Sequence, residues 1–121
     1  MGSTPVRQNL PQGYTKRSEW AVTTTADNAA ATAQKAAVAG STHFVTSIHG
    51  SFSAAVTKLM TLKSDVNLKG NFHVINSRDI VFDRPVAMNE GELAELSLAA
   101  SGTGGQIGAV TMCGFTEVTS L

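Results

Sequence analysis

HFVTSIH, residues 43–49, is the first of a series of short apolar runs that extends to residue 115. Each run has the length of a strand, and residues typical of turns separate most of the runs. The later runs are, in order, residues 56–62, 72–75, 80–82, 93–100 and 107–115. Because a succession of short strands is typical of sandwiches and barrels, the sequence predicts an all-β domain.

The first run shows the clearest strand pattern. Phe44, Thr46 and Ile48 are predicted to share one face, with the odd-numbered residues of the run on the other. Gly50 follows it and indicates a bulge or a close backbone approach. Near the end of the chain, Gly108 and Gly114 interrupt the last apolar run and carry the same implication.

Residues 26–40 fit two structures. Their alanine content favours a helix, with Asp27 or Asn28 as the N-cap and Gly40 as the C-terminal stop. An alanine face buries little area, however, and would anchor a helix poorly. A strand in which small and polar residues alternate is therefore the alternative.

Residues 54–63 are also ambiguous, because Val56, Leu59 and Leu62 fit a helical stripe. The β-branched residues among them favour instead a strand that places Leu59 on one face and Met60 on the other.

Residues 89–101 have a helical composition, yet Ala94, Leu96 and Leu98 alternate with polar residues. Alternation of this length predicts a strand. Pro85, shortly before them, is expected to end a strand or to lie in an edge strand.

Composition indicates one domain with a terminal tail. The chain has 121 residues, of which 42% are hydrophobic and only 15% charged, and its formal net charge is zero. Nucleic-acid binding normally needs a basic face, and the only basic cluster, Arg7 with Lys16 and Arg17, lies in the tail. The sequence contains no run of about 18 apolar residues, so it predicts no transmembrane helix. Cys113 is the single cysteine and is expected to be a buried small hydrophobe.

The N-terminal residues 1–19 lack strand or helix periodicity, and we predict an extended arm followed by a β-sandwich domain at residues 20–118. Leu10 and Tyr14 are candidate anchors on a neighbouring subunit, and a mobile tail is the alternative. Trp20, the only tryptophan, is expected to pack in the core or at a subunit interface, with sugar stacking as the less favoured role.

Three histidines suggest a metal site. His43 and His49 are six residues apart, so on a straight strand they would share a face at a separation of ~20 Å, too far to bind one ion together. His73 is free to approach one of them across strands, but the sequence contains no ligand cluster of recognised spacing. Isolated polar or interface histidines are the favoured interpretation, and we predict no metal and no cofactor.

Two further clusters resemble catalytic or phosphate-binding motifs without matching them. Glu90, Glu92 and Glu95 surround a glycine in a predicted loop, which favours a solvated turn over a glycosidase pair. Residues 101–105 are rich in glycine but lack the lysine of a phosphate-binding loop. We therefore predict that the protein is not an enzyme.

From about Trp20 to Phe115 the chain resembles a group of small tailed-phage virion proteins with a jelly-roll β-sandwich of the tumour-necrosis-factor type. The resemblance lies in the order of a β-prone opening, an alanine-rich segment and the strand-like residues 42–48, 57–63, 80–86, 96–102 and 114–115. It implies that the alanine-rich segment is a strand. It also implies an all-β, jelly-roll β-sandwich with an extended N-terminal arm.

The same resemblance implies a structural role. The expected function is that of a homotrimeric capsid decoration (cement) protein, which binds the major capsid protein and stabilises the phage head. Its expected location is the virion surface, reached through the host cytoplasm during assembly. Leu10, Tyr14 and Trp20 are the expected interface residues. The alternative is a carbohydrate- or receptor-binding module of a head or tail fibre. Neither nucleic acid nor a membrane is an expected partner.

Overall fold

The computed structural model describes residues 17–119, which form eight strands in two sheets. The strands are β1 (Arg17–Asp27), β2 (Ala31–Lys35), β3 (Ser41–Phe52), β4 (Thr57–Ser64), β5 (Asn67–Ile75), β6 (Ser77–Ala87), β7 (Ala94–Leu98) and β8 (Ile107–Val118). Sheet A has the order β1-β8-β3-β6 and sheet B the order β2-β7-β4-β5, with all pairs antiparallel. This is the two-sheet arrangement of a jelly roll, and the predicted all-β, jelly-roll β-sandwich is confirmed. Residues 1–16 of the predicted N-terminal arm lie outside the described residues.

The core lies between the inner faces of the two sheets. It is built from aliphatic and methionine side chains contributed by most strands, with Phe52 at one end. The members with no exposed surface are Ala31, Val45, Met60, Leu62, Val74, Ala94, Leu96, Leu98, Val110 and Met112. Burial of apolar area between two sheets about 10 Å apart is the main favourable term for such a sandwich.

Strand β3 departs from the predicted alternation at Thr46. Its register with both neighbours shifts between Val45 and Ser47, which is the signature of a β-bulge. Because the bulge adds one residue, Val45 and Ile48 both face the core. The predicted face shared by Phe44, Thr46 and Ile48 is therefore wrong. At Gly50 the expected close approach is present, since a Cβ there would lie 2.7 Å from the sulfur of Met60.

The alanine-rich segment is not a helix. Asp27 ends β1, Asn28 adopts a φ of 48° in the turn, and β2 follows. Ala31 and Ala33 are completely or almost completely buried opposite β7. Close packing of small residues in the sandwich thus outweighs the local helix propensity of alanine, and the strand alternative is confirmed.

The other two ambiguous segments are also strands. In β4, Met60 and Leu62 face the core while Leu59 is 38% exposed on the outer side of sheet B. In β7, the alternating residues Ala94, Leu96 and Leu98 are buried, as the pattern predicts.

The two flanks of the sandwich are formed by edge strands. Strands β1 and β2 lie at one flank, and β5 and β6 at the other. Pro85 lies within β6, which agrees with the expected edge position because proline cannot donate to a sheet ladder. Among residues 17–119 there is no helix long and apolar enough to cross a membrane.

Strand β1 begins at Arg17 rather than at Trp20, where the β-prone run starts. Arg17 pairs with Glu117 of β8 in the ladder, and their side chains form an ion pair of 3.3 Å. The Arg17 guanidinium also lies 3.9 Å from the centroid of the Phe115 ring. These contacts extend the strand toward the N-terminus.

Candidate functional site

The outer face of sheet A carries two adjoining depressions, which we call together the sheet A groove. The larger, of about 700 Å³, lies over the start of β1 and the bulge of β3. The smaller, of about 310 Å³, lies over β8, β3 and β6. Cys113 lines both. The groove therefore crosses the whole sheet from one edge strand to the other.

Small side chains and the bulge form the floor of the groove. A Cβ at Gly114 would lie only 2.1 Å from the carbonyl oxygen of Phe44, so that position excludes any side chain. The Thr46 hydroxyl donates to the carbonyl of Cys113 at 3.1 Å and holds the bulged residue against β8. Gly114 and the bulge therefore hold β3 and β8 close together beneath the larger depression.

Polar side chains from four strands line up across sheet A, and three of them, Thr111, His49 and Asp79, line the smaller depression. The register places Thr23 opposite Thr111, Thr111 opposite His49, and His49 opposite Asp79. The two threonine hydroxyls are 3.0 Å apart, and the Nδ1 of His49 is hydrogen-bonded to the Asp79 carboxylate. The side chains of His49 and Asp79 are 39% and 79% exposed. This row presents hydroxyl, imidazole and carboxylate groups to a ligand.

An aromatic stack borders the larger depression. The rings of Phe44 and Phe115 stack with centroids 5.0 Å apart, and Arg17 covers Phe115, which is only 8% exposed. Arg17 and Glu19 line the same depression. The charged side chains of Arg17 and Glu19 therefore give the larger depression its polar character, and the Phe115 ring beneath Arg17 forms part of its wall.

The three residues predicted at an interface have different outcomes. Leu10 and Tyr14 lie outside the described residues. Trp20 is half-buried; its Nε1–H donates to the Thr116 hydroxyl at 2.9 Å, and its ring meets His43 edge-to-face. The ring also lines the larger depression. Trp20 thus packs within the domain and contributes to one wall of the groove.

His43 is buried and belongs to a chain of hydrogen bonds behind this wall. Its Nε2–H donates to the carbonyl of Ala36 at 2.8 Å, because a carbonyl only accepts. Its Nδ1 must then accept from the Thr116 hydroxyl at 2.6 Å, which in turn accepts from Trp20. Burial is the main cause that lowers the pKa of His43. The hydrogen bond to Ala36 raises this pKa, and the positive charge of Lys35 lowers it further. The neutral imidazole is the form that fits this site.

The burial of His43 predicts that the domain loses stability in mild acid. The unfolded chain binds a proton at His43 more readily than the folded protein does. The stabilising contribution is therefore complete above the ordinary histidine pKa of about 6.5 and decreases as the pH falls below it toward the lower folded pKa. We expect urea denaturation midpoints to fall between about pH 7.5 and about pH 5. His43→Gln should be less stable at the higher pH and should show a smaller change. An equal change in both proteins would contradict the assignment.

The bulge also changes the histidine arrangement that the sequence predicts. His43 points into the sandwich and His49 lies on its outer face, so the expectation that they share a face is wrong. His73 is opposite Leu59 on the outer side of sheet B. Within residues 17–119, no three His, Cys, Asp or Glu side chains lie close enough to hold a metal ion.

Glu92 and Glu95, two of the three clustered glutamates near β7, are engaged in hydrogen bonds within the domain. Glu92 accepts hydrogen bonds from Ser64, Asn67 and Asn89, and the bond from Ser64 is the main cause that lowers its pKa. Glu95 accepts from Gln34 at 2.7 Å. The Glu92 contacts hold the loop before β7 against the end of β4 and the start of β5, and the Glu95 contact joins β7 to β2.

The glycine-rich residues 101–105 close on themselves. The Ser101 hydroxyl accepts from the backbone N–H of Thr103 at 3.2 Å and lies 3.0 Å from its carbonyl oxygen. The backbone N–H of Gly105 donates to Asp27. The loop is thus a turn between β7 and β8.

Large apolar side chains are exposed along the β5–β6 side of the molecule. Val66, Leu68, Ile75 and Val81 are 79%, 56%, 69% and 81% exposed, respectively. Leu68 and Ile75 belong to β5, and Val81 belongs to β6. These four residues are called the β5–β6 apolar set below.

Comparison with known proteins found distantly similar solved structures. No family model matches the chain, and no curated protein matches it. One similar structure is the CBM36-1 domain of a multidomain xylanase from the hindgut metagenome of Trinervitermes trinervoides, at 12% identity and a TM-score of 0.41. That match covers 78% of this chain and 74% of the other. A second is a carbohydrate-binding module CBM36 in complex with calcium and xylotriose, at 22% identity and a TM-score of 0.38, covering 78% and 76%.

Proposed function

We propose that the protein is a non-enzymatic binding module that holds a glycan in the sheet A groove. The observation that carries this proposal is the row of Thr23, Thr111, His49 and Asp79 across four neighbouring strands. A few placed polar groups on a rigid scaffold are what orients a small polar ligand. Neighbouring strands are about 4.8 Å apart, so the row offers hydrogen-bonding groups at regular intervals to a chain of hydroxyl-bearing rings.

The surroundings of the row support a binding role. Its groups lie on strands rather than on loops, which favours a site that is formed before the ligand arrives. The small side chain of Ala21 lines the larger depression, so a flat ring has room to approach the sheet. Trp20 and Pro85 add apolar surface for the carbon–hydrogen faces of a sugar.

A glycan panel tests the proposal. We expect at least one neutral or acidic oligosaccharide to bind the purified chain, and calorimetry or chemical-shift changes to map it to sheet A. Asp79→Ala should weaken that binding about tenfold or more, because the hydrogen bonds of a charged group are the strong ones. Asp83→Ala is the control, since Asp83 lies on the same exposed strand outside the smaller depression.

Two outcomes would reject the glycan proposal. One is that no oligosaccharide binds at millimolar concentration. The other is that Asp79→Ala and Asp83→Ala have the same effect on binding, which would place the ligand elsewhere on the molecule.

Capsid decoration is the second candidate function, and the β5–β6 apolar set favours it. Exposed large apolar side chains often mark protein interaction sites, and a chain with only 15% charged residues suits a protein that buries part of its surface in an assembly. In this proposal a homotrimer covers the β5–β6 side and binds the major capsid protein on the outside of a phage virion. Leu10 and Tyr14 of the N-terminal segment would provide further contacts.

Light scattering after size-exclusion chromatography separates the two functions. A trimer that co-elutes with phage capsids and ignores the glycan panel would favour decoration. If the protein is a monomer that binds a glycan and does not co-elute with capsids, the decoration function is rejected and the groove remains the functional site.

A further inference from the structure

A second concavity lies at the end of the sandwich beside the sheet A groove. It has a volume of about 500 Å³, and we call it the end cleft. Its lining comes from β1, β2, β3, β8 and the connection between β2 and β3. The lining residues are Arg17, Ser18, Lys35, Val38, Ser41, Thr116 and Val118. Arg17 lines both the end cleft and the larger depression of the groove.

The end cleft carries two cationic side chains. Arg17 is paired with Glu117 at 3.3 Å. Over the described range 17–119, no carboxylate lies within 4.0 Å of the Lys35 ammonium. That ammonium lies 5.9 Å from the centroid of the Trp20 ring, a distance at which the ring face attracts a cation. Lys35 is therefore placed at the cleft with its charge available to a ligand.

Hydroxyl and apolar groups complete the lining. Ser41 is only 6% exposed, and both its backbone groups are engaged, with Val38 and with Gly91. The Thr116 hydroxyl is committed to Trp20 and His43, so Ser18 and Ser41 are the hydroxyls left for a ligand. Val38 and Val118 are 43% and 47% exposed and provide an apolar wall.

We propose that the end cleft is a subsite for a carboxylate-bearing sugar, so that the glycan of the groove is acidic. This inference rests on the proposed function. The carboxylate lies near Lys35 and Arg17, and the ring lies on the apolar wall. Because Arg17 is already paired with Glu117, Lys35 supplies most of the positive charge that is available to a ligand. The shared position of Arg17 allows one chain of sugars to follow the surface from the cleft to the groove.

Matched oligosaccharides test this subsite. The probes are an oligogalacturonate of about four residues, a neutral galactan oligomer of the same length and a sulfated one. We expect the oligogalacturonate to bind about tenfold more tightly than the neutral oligomer at low salt, since charge-assisted hydrogen bonds are stronger than neutral ones. The preference should shrink in about 0.5 M salt, because exposed charges are screened.

Variants assign the preference to Lys35. Lys35→Gln should abolish the advantage of the acidic oligomer, so that the acidic and neutral oligomers bind with similar affinity. Lys35→Arg should keep it. Lys63→Gln is the matched control, because Lys63 lies on β4 in sheet B, away from the cleft. Urea denaturation of each variant verifies that the fold is retained.

The outcomes separate this inference from the proposed function. Equal binding of acidic and neutral oligomers, or equal effects of Lys35→Gln and Lys63→Gln, would overturn the carboxylate subsite and leave the groove proposal intact. Equal binding of the sulfated and carboxylated oligomers would overturn the carboxylate assignment. Failure of every oligosaccharide to bind would reject the proposed function together with its subsite.

Discussion

Gly114→Ala is expected to destabilise the domain by about 3 kcal/mol or more. The added Cβ would lie 2.1 Å from the carbonyl oxygen of Phe44 and 2.9 Å from the Trp20 ring. A side chain can often rotate away from such a contact, but the Phe44 oxygen belongs to the backbone of β3 beside the bulge. Relief therefore requires β3 and β8 to separate, which disrupts pairing in the middle of sheet A. Urea denaturation of the purified variant measures the loss.

Gly104→Ala is the control for this substitution. Gly104 lies in the turn before β8, and a Cβ there meets nothing within 4 Å. Its stability is expected to change by no more than about 0.5 kcal/mol, as at most surface positions. Equal stability of the two variants would show that the bulge does not bring β3 onto Gly114 as described.

Leu62→Ala is expected to cost about 2–5 kcal/mol of stability. Leu62 has no exposed surface and lies between the sheets, opposite Leu96 on the neighbouring strand. Removing its side chain loses the transfer free energy of the deleted carbons and leaves a cavity that a close-packed core fills only in part. The midpoint of urea denaturation should fall without a change in its slope.

Leu59→Ala, three residues earlier on β4, provides the matched comparison. Leu59 is 38% exposed on the outer face of sheet B, so its truncation should cost about 1 kcal/mol or less. A helix through this segment would bury both leucines on one stripe and make the two substitutions similar. Equal losses would therefore contradict the strand and its orientation.

The alternating segments show where sequence alone was sufficient. In β7 the apolar residues Ala94, Leu96 and Leu98 occupy one face, and in β4 the β-branched residues resolve the competing helical stripe. Strand periodicity is exact, so a single buried face leaves a direct imprint on the sequence. The same periodicity, together with the family resemblance, predicts the jelly-roll class.

The alanine-rich segment shows where local preference failed. Taken alone, residues 26–40 favour a helix. In the protein, Ala31 and Ala33 pair with β7 and are buried on the inner face of sheet B. The decisive interaction is with a strand more than sixty residues away in the chain, as the pairing of Ala31 with Leu98 shows.

The sequence was enough to predict an all-β fold of low charge, because hydrophobic periodicity and composition are properties of each short segment. Tertiary structure alone decided the site. The bulge at Thr46 sends His43 inward and His49 outward, and strand register then aligns His49 with Thr111 and Asp79. Such juxtapositions depend on pairing between distant strands, which local sequence does not encode. The groove and the end cleft follow from that pairing.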